Sequence, residues 1–368
     1  MQIDRLSLRG FRNYEDAQAQ FVPGVNLLVG GNANGKTNLL EAVSYLSTGR
    51  SFRTRREAEL IRFGADFAEL RAQVQSQERT RELRAVLFSG RRPRQLWLAG
   101  VKQRSRAALS GVLTSVLFCP EDLMILKKGA SGRRRLMDGV ICQLRPNYEA
   151  ALAEYGRLLD QKSALLRERY DNPSLLQVLP EYDLRMAQTG ALVISYRARY
   201  VKALAQEAAR YHREFSGDSE SLELTYRTVS TVTDPFAPPE TLCAQLQEHQ
   251  RSHARAELES AQCLSGPHKD DIEVSIGGAA ARAFSSQGQT RTAALSLKLA
   301  ERDIFRELTG FSPVLLLDDV LSELDPRRQE FVLNRISGGQ VFITCCEEDR
   351  LESMLGGKVL HVENGKVV

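Results

Sequence analysis

Nothing in this sequence provides for a membrane, a secretory route or a zinc-bound fold. No stretch approaches the roughly 20 apolar residues that a helix needs to cross a bilayer. The opening Met1-Gln2-Ile3-Asp4-Arg5-Leu6 lacks the long apolar segment of a secretory signal. Six cysteines are present (Cys119, Cys142, Cys243, Cys263, Cys345 and Cys346), and none form a C-x-x-C pair, which argues against a structural zinc site. The adjacent Cys345 and Cys346 are expected to be reduced, in or near a strand, and the cytoplasm is the expected compartment. There is no internal repeat, no low-complexity tail, and no recognition-helix or zinc-finger pattern. What is present is a globular chain of 368 residues with 42% hydrophobic content, enough for one large or two modest domains and a sizeable core.

The net charge of +4 hides an asymmetry. Residues 45–145 carry 21 Lys and Arg against 9 Asp and Glu, so the remainder is acidic. The basic residues cluster as Arg50, Arg53, Arg55 and Arg56, then Arg91, Arg92 and Arg94, then Lys102, Arg104 and Arg106, then Lys127, Lys128, Arg133, Arg134 and Arg135. Charge alone leaves two readings open: a surface for a polyanion, or the solvated face of an arginine-rich protein.

The most informative segment is Gly30-Gly31-Asn32-Ala33-Asn34-Gly35-Lys36-Thr37, which fits the phosphate-binding pattern G-x-x-x-x-G-K-[ST]. Val25–Val29 before it reads as a strand, and a helical pattern follows from Asn38. That order lets the loop wrap backbone N–H groups around phosphate oxygens at a helix N-terminus. Lys36 is assigned to the β- and γ-phosphates, and Thr37 to Mg²⁺.

A second apolar strand, Val314–Leu317, ends in two carboxylates. Asp318 is assigned to the metal side, acting through bound water, and Asp319 to orienting or deprotonating the attacking water. Taken alone, this pair also reads as a buried strand ending at a capped turn. Ser322-Glu323-Leu324-Asp325 follows, with Asp325 capping a helix that starts at Pro326. Placed after a metal-binding strand, these four residues also resemble the D-loop at the dimer interface of ABC-type ATPases. Upstream, Ser286-Gln287-Gly288-Gln289 resembles the S-G-G-Q signature of that superfamily, 250 residues after Lys36 and 32 before Asp318. By itself it reads as a plain N-capping turn.

The spacing predicts strands at 3–9 and 25–29 flanking a turn at Pro23-Gly24. Further strands are predicted at 68–75, 82–88 and 96–98, and again at 222–227, 271–276, 314–317 and 340–344. Helices are predicted at 240–262, 292–308 and 326–336, and a closing hairpin at Asn364-Gly365. From Ser131 to Arg213 helical spacing dominates, broken at Pro173 and Pro180, with helices of some 20 residues. The expected division is 1–130 as the N-terminal half of an ATPase domain with a β meander, 131–262 as an inserted helical lobe, and 263–368 as the C-terminal half.

The order of these motifs resembles the SMC/Rad-fifty-like branch of ABC ATPases, and more closely its RecF family. The resemblance is carried by Leu8–Tyr14, Ser47–Arg53, Cys119–Leu123, Arg133-Arg134-Arg135, Ser265–Asp271 and Ser286–Gln289. It implies an α/β fold: an ABC-type P-loop ATPase head split in sequence, with an antiparallel β meander and an inserted helical lobe. It implies ATP and Mg²⁺ as cofactors and an ATP-dependent homodimer. In that dimer Ser286, Gln287, Gly288 and Gln289 contact nucleotide held by the second copy, and Ser322–Asp325 line the interface. Lys36 and Asp319 become the catalytic pair. Many relatives carry Glu where Asp319 stands, so the shorter side chain implies slow hydrolysis. The resemblance further implies binding to double-stranded and gapped DNA without sequence specificity, action with RecO and RecR in helping to load RecA, and support of repair, replication and the SOS response. It raises Arg53, Arg55, Arg56, Arg91, Arg92, Arg94, Arg133, Arg134 and Arg135 as DNA contacts.

Two departures from the family pattern stand out. Thr290 replaces an expected Gln, and Cys345-Cys346-Glu347 stands where transporter-type ATPases place a phosphate-sensing His, so that the Thr344 hydroxyl is a candidate substitute. Pro120-Glu121-Asp122 is the candidate for the turn that joins the two lobes. The alternatives are a P-loop kinase with a basic lid and the ATPase subunit of a transporter. The late signature and the missing His count against the transporter, and the signature and D-loop against the kinase.

Overall fold

The computed structural model describes residues 1–76, 79–169, 172–346 and 356–368. Glu347 lies outside the described residues. The chain divides into two compact units: Met1–Met124 with Arg291–Val368, and Ile125–Thr290. The split expected from sequence is observed, since both ends of the chain build the first unit. By compactness the inserted unit also takes in the signature turn, which the motif order had grouped with the C-terminal half.

The chain begins with β1 (Gln2–Phe11), β2 (Tyr14–Gln20), β3 (Val25–Val29) and α1 (Lys36–Thr48). There follow β4 (Phe67–Ser76), β5 (Arg79–Phe88), β6 (Gln95–Leu98), β7 (Val101–Gln103) and β8 (Ser115–Phe118). One sheet is antiparallel, in the order β2-β1-β4-β5-β6-β7. Alternation along it sends Leu70, Ala72 and Val74 of β4, and Leu83, Ala85 and Leu87 of β5, to one buried face. The sequence predicted this meander, but β1 and β3 do not flank a single turn. β2 intervenes, and β1 and β3 lie in different sheets. Tyr-Glu-Asp-Ala-Gln-Ala-Gln of β2 is too polar to read as a strand because it is an edge strand, paired on one side only.

The inserted unit contains α2 (Ala130–Leu144), α3 (Pro146–Glu168), α4 (Leu179–Ser216), β9 (Leu222–Arg227), α5 (Pro239–Ser260), β10 (Asp271–Ile276), β11 (Ala279–Ala280) and the short α6 (Ala281–Phe284). α4 has 38 residues, about 57 Å long, rather than the 20 or so expected. Pro180 does not break it, because it sits in the first turn, where a missing N–H costs nothing. α3 and α5 pack along α4, as does β9.

α7 (Gln287–Thr309) carries the chain back to the first unit, followed by β12 (Val314–Leu317), α8 (Pro326–Leu333), β13 (Val341–Cys345), β14 (Lys358–Glu363) and β15 (Lys366–Val367). The second sheet of this unit runs β15-β14-β3-β13-β12-β8. It is parallel throughout except at β15. α1 packs against β4 and β5 of one sheet and β8 and β13 of the other. Leu39, Leu40 and Val43 of α1 therefore join Leu28, Leu316 and Phe342 in one core with the antiparallel sheet. Parallel strands place their C-terminal ends along one edge, where α/β proteins bind ligands. Here that edge collects the ends of β3, β13 and β12.

Candidate functional site

β3 feeds directly into the phosphate loop. At Gly30 an added Cβ would collide with the carbonyl oxygen of Val362 on β14, so only glycine lets the loop leave the sheet there. Gly35 caps α1 at φ 118°, a left-handed conformation suited to glycine. The loop is pinned from outside. Asn13 Nδ2 donates to the Asn34 carbonyl at 2.9 Å, Tyr14 Oη donates to the Gly35 carbonyl at 2.9 Å, and Gly365 N donates to the Asn34 carbonyl at 3.0 Å. The turn after β1 and the closing Asn-Gly hairpin thus hold its shape. Burial pushes the Tyr14 phenol up, so it stays a neutral donor. Lys36 is buried, with Nζ donating to the carbonyls of Gly30 at 2.6 Å and Gly31 at 3.1 Å.

Opposite the loop, Thr37 Oγ1 donates to Asp318 Oδ1 at 2.9 Å. β13 lies between β3 and β12, with Thr344 level with Leu28. That register puts the Thr344 hydroxyl 3.2 Å from Asp318 Oδ1 and 3.1 Å from Asp319 Oδ1. Asp319 has φ 50°, an uncommon left-handed conformation outside glycine. Burial raises the Asp318 carboxyl above its ordinary range. The Asp319 charge adds to this, while the Thr37 and Thr344 hydroxyls and the Arg53 charge oppose it. One hydroxyl and one carboxylate fit Mg²⁺, which keeps most of its ligands as water and phosphate oxygens. Among the described residues, no group of three or more His, Cys, Asp or Glu side chains could hold a metal unaided.

Among the described residues just after β13, Cys346 touches the loop. Its Sγ lies 3.1 Å from Asn32 Oδ1 and 3.8 Å from Lys36 Nζ. The Thr344 hydroxyl faces the two carboxylates.

Sequence reasoning missed the support behind the loop. Glu41 on α1 is fully buried and receives Arg12 at two points, Nε to Oε2 at 2.8 Å and Nη2 to Oε1 at 2.7 Å. Ser51 Oγ donates to the same carboxylate at 2.5 Å, and Arg53 lies 3.6 Å from it. Arg53 also donates to Asn38 Oδ1 at 2.7 Å. The available signal was a lone acid within the apolar pattern of α1, matched by arginines in two loops.

The signature residues form a capping box. Ser286 N donates to Gln289 Oε1 at 2.9 Å, and Gln289 N donates back to Ser286 Oγ at 3.1 Å. Ser286 and Gln287 are exposed at the start of α7. Thr290 is buried and donates to the Ser286 carbonyl at 2.8 Å. In the stretch resembling a D-loop, Ser322 and Glu323 are exposed, Leu324 is buried, and Asp325 caps α8 by accepting from Arg328 N at 3.1 Å.

The arginines divide into two groups. Arg53, Arg55, Arg56, Arg91, Arg92 and Arg135 are exposed. Arg94 instead donates to the Gly49 carbonyl at 2.6 Å and pairs with Glu57 at 2.5 Å. Arg133 is buried and grips both oxygens of Asp271, at 2.7 and 2.8 Å. Arg134 donates to the Asp270 carbonyl at 2.6 Å. Two of the stretches that carry the family resemblance, the triple arginine and Ser265–Asp271, therefore meet as one structural knot. Arg197 on α4 completes it, with bonds to the Pro267 carbonyl at 2.7 Å and Asp270 Oδ2 at 2.8 Å.

A family model for the RecF/RecN/SMC N-terminal domain matches residues 2–366. The chain is 42% identical over 354 residues to the DNA replication and repair protein RecF of Symbiobacterium thermophilum, covering 95% of this chain and 93% of that one. It is 35% identical over 362 residues to the RecF of Acetivibrio thermocellus, covering 98% of each. Among solved structures, a recombination mediator protein RecF with ATP, of the RecFOR pathway, aligns with a TM-score of 0.91 at 33% identity over 100% of this chain and 96% of that one. An Smc head domain from Pyrococcus furiosus shares the fold, with a TM-score of 0.55 at 19% identity over 100% of this chain and 95% of that one. With a split ATPase head, a pinned phosphate loop and full-length likeness of this order, the chain belongs to the RecF family of ABC-type ATPases.

Proposed function

We propose that this protein is an ATP-switched DNA clamp of recombinational repair. The observation that carries the reading is that Lys36, Thr37, Asp318 and Asp319 gather around one loop, while Ser286 stands exposed at the N-terminus of another helix. Gly30–Thr37 wrap the phosphates of ATP through backbone N–H groups, and Lys36 leaves the Gly30 and Gly31 carbonyls to meet the β- and γ-phosphates. Thr37 and Asp318 hold Mg²⁺, which supplies charge neutralisation at the phosphates. Asp319 orients the attacking water. Ser286–Gln289 of a second copy cap the same nucleotide, with Ser322–Asp325 at the interface, so the γ-phosphate bridges two protomers and its hydrolysis releases them. The short reach of Asp319 makes turnover slow. The exposed Arg53, Arg55, Arg56, Arg91, Arg92 and Arg135 bind the phosphates of double-stranded or gapped DNA, so affinity falls steeply with salt.

The name of the relatives, DNA replication and repair protein RecF, and the RecFOR pathway of the solved neighbour support a role in replication and repair with RecO and RecR; we propose that this role extends to helping load RecA, in the cytoplasm and in support of the SOS response. No helix among the described residues is long and apolar enough to cross a membrane. Sedimentation of wild type and Ser286→Arg with ATP, ADP and no nucleotide tests the clamp. Wild type is expected to dimerise with ATP and S286R to stay monomeric; normal ATP-dependent dimerisation of S286R sinks the reading. ATP turnover measured with and without gapped DNA is expected to rise with DNA.

A further inference from the structure

The carboxamide of Gln289 is held from both ends. Its Oε1 accepts the Ser286 N–H at 2.9 Å, and its Nε2 donates to Glu220 Oε1 at 2.7 Å. Glu220 lies 69 residues earlier in sequence, just before β9 and outside every motif. A carboxylate only accepts, whereas an amide presents an acceptor on one side and a donor on the other. Glu220 therefore fixes the amide with its NH₂ outward and its oxygen on Ser286. Turned over, the amide would set its donor against the Ser286 N–H. The other face of the carboxylate is bounded by His212, a fully buried ring whose Nε2 lies 3.5 Å from Glu220 Oε2.

The consequence falls on the serine hydroxyl. Gln289 N–H occupies one lone pair of Ser286 Oγ at 3.1 Å, which leaves the O–H to donate away from its own helix. It does so at the N-terminal end of α7, where the helix dipole favours an anion.

We infer that Glu220 is a positioning residue of the signature turn: by locking the Gln289 amide it presets the Ser286 hydroxyl to meet the terminal phosphate of ATP held by a second copy of the chain. This rests on the composite-site reading above. Glu220 acts only through Gln289, which keeps its negative charge one side chain away from the phosphate.

The test is ATP-dependent dimerisation of the full chain, followed by sedimentation, for E220A, E220Q, E220K, S286A and the E220A/S286A pair, with thermal melts alongside. E220A is expected to weaken dimerisation by roughly tenfold, the equivalent of one hydrogen bond to a charged group. E220Q retains an acceptor and is expected to stay close to wild type. E220K, which presents donors to Gln289, is expected to be weaker than E220A. The double variant is expected to be no weaker than S286A, because both act through one hydroxyl. If S286A dimerises like wild type, the composite site itself fails. If S286A weakens dimerisation but E220A does not, or if the two losses add, the role of Glu220 is overturned while the composite site stands. Should E220A melt far below wild type, the comparison of E220Q with E220K decides, and equal dimerisation of those two overturns the inference.

Discussion

The hydroxyl of Thr344 accepts the backbone N–H of Asp319 at 2.7 Å, so the strand between the phosphate loop and the acidic strand fixes the backbone of Asp319. Asp319 sits at φ 50°, and this bond helps to hold it there. Thr344→Val is expected to slow ATP hydrolysis by about tenfold, the cost of one lost positioning bond, while ATP affinity changes little. Thr344→Ser should restore the rate. Single-turnover kinetics read both quantities, and an unchanged rate in T344V would remove Thr344 from the site.

Asp318 is expected to carry a stability cost when no cation is bound. Its folded-state pKa is raised above the ordinary 3.8, chiefly by burial. A carboxyl shifted in that direction stabilises the fold fully below its unfolded value and loses that contribution as pH rises through the folded value. At pH 7 Asp318→Asn should therefore melt higher than wild type without nucleotide, by roughly 1–2 °C for each kcal/mol released. The gap should close towards pH 4. The same variant should gain little from Mg²⁺ and ATP, whereas wild type gains stability by mass action. A lower melt than wild type at pH 7 would contradict the argument.

Glu301 on α7 gives a second pH dependence. It is buried beside Lys298, at 3.2 Å, and its Oε1 has no hydrogen-bond partner among the described residues. Burial raises its carboxyl from 4.5 to about 7; Lys298 opposes the shift and Asp122 adds to it. The sign is again that stability present below pH 4.5 is lost as pH rises through about 7. Glu301→Gln should flatten that loss, on the order of 2–3 kcal/mol between pH 5 and 8 in denaturant titrations. Parallel pH profiles for the two proteins would refute it.

Neighbouring arginines should part company under mutation. Arg133→Ala breaks a buried two-point ion pair and is expected to cost on the order of 3 kcal/mol. Arg133→Lys should not rescue it, since lysine lacks the planar fork. The exposed Arg135→Ala, like Arg55→Ala and Arg56→Ala, should leave stability within about 0.5 kcal/mol. Each of these three should lower the slope of log DNA affinity against log salt by about one. Slopes that do not move would take these arginines out of the DNA surface.

The legible parts of the fold were those with local signals. Val25–Val29, Asp271–Ile276 and Val314–Leu317 were bounded correctly because they end at glycine or acidic residues, and Leu222–Arg227 because its side chains alternate. β8 was missed, since Ser115–Phe118 is four residues long and carries no alternation to count. The length of α4 was missed because Pro180 reads as a breaker until its place in the first turn is known. Glu41, Arg12 and Glu220 were missed for a common reason: each bonds a partner well removed along the chain.

What the sequence determined by itself was chemistry with fixed short spacing: a glycine loop before a helix, a strand ending in two carboxylates, and a serine three residues before a glutamine. Such patterns need only a turn or two of backbone to take shape. What the tertiary structure decided was which of those pieces meet. The parallel order β3-β13-β12 brings Thr37 to Asp318 and Thr344, which lie more than 280 residues further along the chain. In the inserted unit Arg133 folds inward while Arg135 stays in water, although a single residue separates them in sequence. The physical reason is that burial and hydrogen-bond saturation belong to the packed whole, and no stretch of chain carries them alone.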